Sequence, residues 1–296
     1  MKISGFTYIR NGHTLDYPFI ESIKSALPIC DEMIVVVGDS NDGSRESIER
    51  IGSEKIKIID SVWDDNLKHG LVFREQANIG LDNISGDWGL HIQADEILHE
   101  KELEQIVESI NRNDGDSRIE GLLFPYLHFW GYNHIVKGRR ARRYEIRLVR
   151  NNRRIRSYRD SQGFRIYPDQ EAYLNGHVGE KLKVALIKPH IYHYSRVRPP
   201  ALEMKKIHKL GSHLGGPNRK NIPSEPEWDY SNIDWIEEFP LANHPHVMLE
   251  RVKSSTWKLE YKKGQFHLKN WLSNTFEAMT GHRIGEYTNW NIIKRP

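Results

Sequence analysis

Only one cysteine, Cys30, occurs in the 296 residues, so an internal disulfide is excluded, and so is a zinc site built on several thiolates. A reducing cytoplasm is the expectation that follows. Long apolar runs are missing too. No stretch approaches the roughly 18 apolar residues that a bilayer-spanning helix needs. The opening Met1-Lys2-Ile3-Ser4-Gly5-Phe6 also lacks the apolar segment of a signal peptide. Any membrane contact is therefore expected to be peripheral, at the inner face. Charge of one sign is not in excess: 43 Lys and Arg face 40 Asp and Glu, and a net +3 is too small to imply a polyanionic partner. What remains is the composition of a globular chain, long enough for one large domain with a modest appendage.

The first half alternates short β-rich runs with helical patterns, which predicts an α/β fold with a mostly parallel sheet and helices on both faces. Strands are expected at Ile3 to Ile9, Met33 to Val37, Lys55 to Ile59 and Trp88 to Ile92. Helices are expected where Leu15, Phe19, Ile20, Ile23 and Leu27 recur before Pro28, at Ser44 to Ile51, at Leu71 to Ile84 and at His99 to Arg112. Ligands of such a sheet bind at the carboxyl ends of its strands. That singles out three loops: Arg10 to His13, Gly38 to Gly43, and Gln93 to Glu96. After Glu120 strands and turns dominate. Tyr144 to Val149, the turn Asn151-Asn152, and Ile155 to Tyr158 read as a β-hairpin. A helix at Leu202 to Leu214 closes the main domain. Residues 215–245 read as a wrapping segment, and Trp257, Phe266, Trp271 and Phe276 suggest that the last fifty residues dock on the main body.

The strand Trp88 to Ile92 runs into adjacent carboxylates, Asp95 and Glu96. Burying carboxylates without a cation or hydrogen-bond donors costs several kcal/mol. An acidic pair at a strand tip therefore suits a hard cation such as Mg2+ or Mn2+, which takes oxygen ligands and bridges to phosphates. The alternative is an exposed turn whose acidic residues complement the dipole of the next helix. Val35 to Ser44 likewise reads either as an ordinary turn capped by Ser44 or as a nucleoside pocket in which Asp39 accepts hydrogen bonds.

Taken together these segments resemble family-2 glycosyltransferases of the GT-A fold. Val35 to Ser44 is similar to the family's "VVDDGSTDGT", Gln76 to Trp88 to "ARNLGLEHATGDW", and Gln93-Ala94-Asp95-Glu96 to "DADE", in the same order and spacing. Further on, Tyr144 to Arg150 is similar to the "prLfR" strand of bacterial members. Ile191 to Ser195, followed by Arg198-Pro199-Pro200, resembles their "HYG…RPP". The resemblance implies a catalytic domain over residues 1–214, with residues 1–100 as the nucleotide-binding half and 101–214 as the acceptor half. Residues 215–296 form a C-terminal helical or irregular extension. It also implies a nucleotide sugar as donor, a carbohydrate or lipid-linked acceptor, as in surface polysaccharide or glycolipid synthesis, and inversion at the transferred sugar.

The residues the resemblance points to follow from those motifs. Tyr8, Arg10, Asn11, Asp39, Arg74, Asn78 and Gln93 would line the donor site. Asp95, with Glu96 or a downstream histidine, first His193, would hold Mn2+ or Mg2+. Two departures stand out. Gln93 replaces the first aspartate of Asp-x-Asp, and His177-Val178-Gly179-Glu180 stands where relatives show "VHE". Charge developing on the diphosphate needs a cation, and the acceptor hydroxyl needs a general base. Glu180 ranks first for the base and Asp160 second, ahead of Asp169 and Glu171.

Lys137 to Arg159 holds ten arginines and one lysine, which suits either a basic wall for the diphosphate, led by Arg147 and Arg150, or a solvated face. Nucleic-acid binding is the weaker use of that run, since no nucleic-acid module accompanies it. A nucleotidyltransferase keeps the fold as the runner-up, but it generally needs a glycine-rich, lysine-containing loop that Ile9 to His13 does not supply.

Overall fold

The structure, a computed structural model, describes residues 1–138, 141–214, 236–259 and 267–296. Most of the expected wrapping segment and Phe266 lie outside the described residues, as do Arg139 and Arg140 of the basic run. The amino-terminal half runs β1 (Ile3–Ile9), α1 (Phe19–Ala26), β2 (Glu32–Val37), α2 (Ser44–Glu49), β3 (Ile56–Asp60), α3 (Leu71–Asp82) and β4 (Trp88–His91). There follow β5 (Glu96–Ile97), α4 (Leu103–Asp114), β6 (Gly121–Trp130), β7 (His134–Val136), β8 (Tyr144–Arg150), β9 (Ile155–Ser157), β10 (Phe164–Ile166), α5 (Gln170–Leu174), β11 (Glu180–Leu186), β12 (Ile191–Arg196) and α6 (Pro200–Leu214). The last elements are β13 (Ile236–Glu238), α7 (Leu249–Ser254), α8 (Leu268–Thr280) and β14 (Trp290–Lys294).

Strands β3, β2, β1 and β4 pair in parallel in that order, so their carboxyl ends open on one edge. Alternation along the strands assigns the two faces. Met33, Val35 and Val37 of β2 pack with Phe19, Ile23 and Ala26 of α1 and with Ile106 and Ile110 of α4. Ile34 and Val36 pack on the other side with Phe6 of β1 and Leu81 of α3. Both faces are thus covered, which is why β2 reads as an unbroken apolar run rather than an alternating one.

Beyond β4 the sheet turns mixed. Strand β8 runs antiparallel between β4 and β6, while β11 and β12 each pair with β6 in parallel. The expected hairpin of β8 with β9 does not form. Strand β8 is buried between two neighbours, and β9 pairs with β10 instead. The Asn151-Asn152 turn carries the chain across to another part of the sheet. Asn151 is held there by its side-chain donation to the carbonyl of Gly86, 2.9 Å.

The carboxyl-terminal segment is woven into this fold through β14, which pairs in parallel with β11. Trp257 and Leu259 pack against Trp130, whereas Trp271 and Phe276 on α8 are exposed, so that helix does not bury its aromatic residues.

One acidic residue ties the first strands together. Glu32 accepts hydrogen bonds from the Ser4 hydroxyl (2.6 Å) and from the Ser85 amide and hydroxyl (2.7 Å each), and it pairs with Lys57. Burial works against the charge, but these donors win and pull its carboxyl from 4.5 down to about 2. A carboxyl depressed in the folded state stabilises above its unfolded value, and that contribution is lost as pH falls toward the folded one. The melting temperature of the wild type is expected to fall more steeply between pH 5 and pH 3 than that of Glu32→Gln. Parallel pH curves in a thermal melt would remove this role.

Candidate active site

At the carboxyl edge of the parallel block lies a cleft of about 530 Å3. The loops after β1, β3 and β4 meet there with the β9–β10 loop, β12 and α6. Of the residues marked from sequence, Tyr8, Arg10, Asn11, Gln93, Asp95, Asp160 and His193 line it together. Asp39 stands just behind. Its carboxylate accepts from Arg10 at 2.7 Å, and Arg10 also donates to Asp65 at 2.7 Å, a bridge that joins the ends of three strands. Asn11 holds left-handed backbone (φ 53°), and its amide donates to the Ser40 hydroxyl, which locks the first loop against the second.

Asp95 is 7% exposed, and its two oxygens face different side chains. The Lys206 ammonium of α6 donates to Oδ2 at 3.4 Å, and His193 Nε2 stands 3.6 Å from Oδ1. Burial alone would raise this carboxyl, but Lys206 and His193 hold it well below the usual carboxylate range, so it is ionised. Burial also lowers the Lys206 ammonium from its ordinary value.

The histidine tautomer follows from a chain of partners. His128 is pushed down to about 3 by burial and by His193, so its ring is neutral. Its Nε2 must donate to the Arg142 carbonyl, 2.7 Å away, which leaves Nδ1 as an acceptor. His193 Nδ1 therefore donates to His128 Nδ1 at 2.9 Å, which leaves Nε2 facing Asp95; a neutral ring turns a lone pair to the carboxylate, and an imidazolium donates to it. With the ring neutral, that nitrogen and a carboxylate oxygen 3.6 Å apart are a donor set that a divalent ion accepts. Asp95 and His193 are therefore the residues that would hold a divalent ion such as Mn2+ or Mg2+ at this site. Among the described residues no group of three or more metal-ligating side chains occurs.

Glu96 cannot be the third ligand. It is fully buried with Arg147 in a fork-to-fork ion pair (2.8 and 2.7 Å), and it also takes hydrogen bonds from Tyr126 Oη (2.7 Å) and the Gln93 amide (3.0 Å). Both oxygens are spoken for. Arg147 is consequently a support beneath the Gln93-Ala94-Asp95 turn and not a wall of the cleft. Arg150 is further removed, because it pairs in register with Trp88 at the opposite end of β4. It caps α4 by donating to the carbonyls of Asn113, Asp114, Asp116 and Ile119.

Asn78 is a strut. Its amide donates to Tyr173 Oη and accepts from the Ser157 amide, while Arg74 lies over the Tyr173 ring. Among the candidate bases, Glu180 is exposed at the start of β11 and outside the cleft, Asp169 caps α5, and Glu171 is exposed. Only Asp160 lines the cleft, and its Oδ1 is buried without a hydrogen-bond partner.

The cleft also contains residues not marked from sequence. Trp63 and Phe73 meet edge to face at 5.5 Å, and Tyr8 stacks on Phe73 at 6.3 Å, which builds an aromatic wall. Trp63 fits because Gly38 has no side chain; a Cβ there would lie 2.6 Å from the indole nitrogen. The signal for Trp63 was its place just past the end of β3, where a fourth loop of the same edge had to come. Lys206 and Lys209, three residues apart on α6, carried no such signal.

The family model described as Glycosyl transferase family 2 matches residues 17–168, just over half of the chain. The chain belongs to that family. It is the family that the sequence motifs resemble. No curated protein matches. Similar solved structures include Staphylococcus aureus TarS residues 1–349, at 15% identity and a TM-score of 0.40, covering 66% of this chain and 61% of that one. A second, the same TarS segment in complex with UDP, has 18% identity and a TM-score of 0.35, covering 44% and 36%. The chain therefore spans less than two thirds of these TarS chains. No helix among the described residues is long and apolar enough to cross a membrane.

Proposed function

We propose that the cleft binds a nucleotide sugar and that the enzyme transfers the sugar, with inversion and with the help of a divalent ion, to an acceptor hydroxyl. The observation that carries the reading is that Asp95 Oδ1 and His193 Nε2 face one another 3.6 Å apart in a cleft that Asp160 also lines, with its Oδ1 buried and unpartnered. The base would stack on the wall of Tyr8, Trp63 and Phe73, with Asp39 and Arg10 at its polar edge. Lys206 and Lys209 bring positive charge to the side where the diphosphate would lie. Mn2+ or Mg2+, held by Asp95 and His193, supplies Lewis-acid stabilisation of the charge that grows on the leaving diphosphate.

Asp160 takes the acceptor proton as the acceptor oxygen bonds to the anomeric carbon. On the far side the carbon–oxygen bond to the diphosphate breaks, which leaves the nucleoside diphosphate and an inverted linkage.

Titration calorimetry with UDP, GDP and dTDP, each with Mn2+ or with EDTA, tests the donor site. One of them is expected to bind at least tenfold more tightly with Mn2+, and Asp95→Ala is expected to abolish that difference. A second cation on the same carboxylate has its own support in the Lys206 contact at 3.4 Å. Binding that is equal in EDTA and lost in Lys206→Met would assign the neutralising charge to lysine and end the metal reading. No binding of any nucleotide would end the donor-site reading itself.

A further inference from the structure

Helix α8 carries its polarity the wrong way round for a helix lying on a globular body. At about 100° per residue, Leu268, Trp271, Leu272, Phe276 and Met279 share one arc of about 140°. All five are between 42% and 82% exposed, and none joins an apolar cluster of the described residues. The opposite side is polar and holds the helix down. Asn274 is 4% exposed, and Glu277 pairs with Arg283 (2.6 and 2.9 Å) and with Arg143 (3.5 Å). The helix ends at the left-handed Gly281, whose carbonyl accepts from Arg143 at 2.9 Å, while Arg283 donates to the Ala141 carbonyl at 2.6 Å. Surface helices ordinarily bury the apolar stripe and expose the polar one. Here ion pairs and hydrogen bonds fix the helix with the stripe outward, and a contiguous apolar strip with polar fixings marks an interaction surface.

Size, composition and charge select what covers it. The strip is one helix wide and about 20 Å long. That is well short of the roughly 800 Å2 that each partner of a stable dimer buries, whereas a bilayer requires no matching surface. One tryptophan and one phenylalanine among leucines and a methionine are the residues of a helix that lies in a membrane interface with its apolar face among the headgroups. The charge agrees. Residues 258–269, which lead into the helix, hold four lysines against one glutamate, and Lys258 and Lys269 are exposed. Such a segment is drawn to anionic lipid.

The strip also stands at the edge of the sheet that bears the cleft. Strand β8 runs antiparallel to β4, with Arg150 beside Trp88 and Leu148 beside Leu90, so the residues just before β8 lie toward the carboxyl edge where the cleft opens. Ala141 and Arg143, which anchor α8, are those residues. Beyond the helix, Tyr287 lies under the guanidinium of Arg159 at 5.3 Å, and Arg159 immediately precedes Asp160 of the cleft. Lipid contact at α8 therefore brings a bilayer to the edge at which an acceptor must arrive.

We propose that α8 docks the enzyme on an anionic lipid bilayer, with its apolar strip among the headgroups and the lysines that precede it against the lipid charge. Flotation of the full chain with vesicles of phosphatidylcholine alone, and of phosphatidylcholine with about 30% phosphatidylglycerol, tests this. The wild type is expected to float with the anionic vesicles, and at least fivefold less after the paired substitutions Trp271→Gln and Met279→Gln. It is also expected to float at least fivefold less when salt is raised to about 0.5 M. Both side chains are exposed, so the melting temperature should not change; Met279→Glu, at the most exposed of the five positions, replaces the double variant if that one melts early. Absence of flotation with anionic vesicles overturns the proposal, as does equal flotation with neutral ones or flotation that the substitutions leave unchanged. Analytical ultracentrifugation without lipid reads the competing cover: a wild-type dimer that the double variant dissociates would assign the strip to a second copy of the chain and overturn the lipid assignment. Vesicle binding is measured without nucleotide, so its outcome is separate from that of the donor site.

Discussion

Replacing Arg147 by leucine is expected to cost about 3–5 kcal/mol of folding stability, the usual penalty for leaving a buried charge unpaired. The pair it breaks is wholly enclosed: Arg147 is 3% exposed and Glu96 is not exposed at all. Burial pushes the Glu96 carboxyl up, and the neighbouring guanidinium more than reverses this, so without Arg147 the carboxylate must either take up a proton or open the site to water. Leu at 147 also leaves Tyr126 and the Gln93 amide as the sole donors to Glu96.

Denaturant unfolding measures the loss, and the double variant Arg147→Leu with Glu96→Leu separates its causes. A charge pair exchanged for two apolar side chains is often close to neutral. The double variant should therefore regain most of the stability, but not activity, because the Gln93–Asp95 turn loses its anchor. Arg147→Leu within 1 kcal/mol of wild type would show that the pair does not hold the turn.

The second large effect concerns transfer itself. Asp160→Asn is expected to slow sugar transfer by about 10^2- to 10^4-fold, the range that a positioned general base supplies. The amide keeps the shape and cannot take the acceptor proton. Nucleoside diphosphate affinity is expected to stay within a few-fold, since the proton transfer belongs to the transition state and not to donor binding. Glu180→Gln, exposed on β11 and away from the cleft, should leave the rate within about twofold. The reverse pattern, a slow Glu180→Gln and a normal Asp160→Asn, would move the base out of the cleft described here. Rates of nucleoside diphosphate release with a saturating acceptor are the measurement.

The contrast between these two carboxylates shows where sequence reasoning ended. Glu180 ranked first because it follows His177-Val178-Gly179 in a family-like order, and Asp160 second. Order along a chain does not say which way a strand end faces. Glu180 starts β11 opposite Ile166, whereas Asp160 sits on the loop before β10 that bends over the cleft.

The same limit divided the acidic pair. Asp95 and Glu96 are adjacent, so their side chains leave the backbone in different directions. One meets Lys206 and His193 at the cleft, and the other meets Arg147 inside the sheet. The arginine-rich run meets the same limit. Alternation put Arg147 on a face of β8 that the fold buries, and Arg150 on the end of the sheet remote from the ligand edge.

What the sequence determined by itself was local and periodic. Alternating strands and helices set the parallel block, and the turn residues after each strand identified the edge where ligands gather. Three motifs in fixed order then supplied the family. These features depend on residues close together in the chain, where side-chain period and turn chemistry act directly. Only the tertiary structure decided which charges meet. The proton on His193 Nδ1 rests on His128 and on a carbonyl 14 residues beyond it, the ammonium facing Asp95 comes from 111 residues away, and the aromatic wall joins β1, the loop after β3 and α3. Such pairings depend on distance in space and on burial. Charge and hydrogen bonding become strong only where water is excluded, and no local pattern records where that happens.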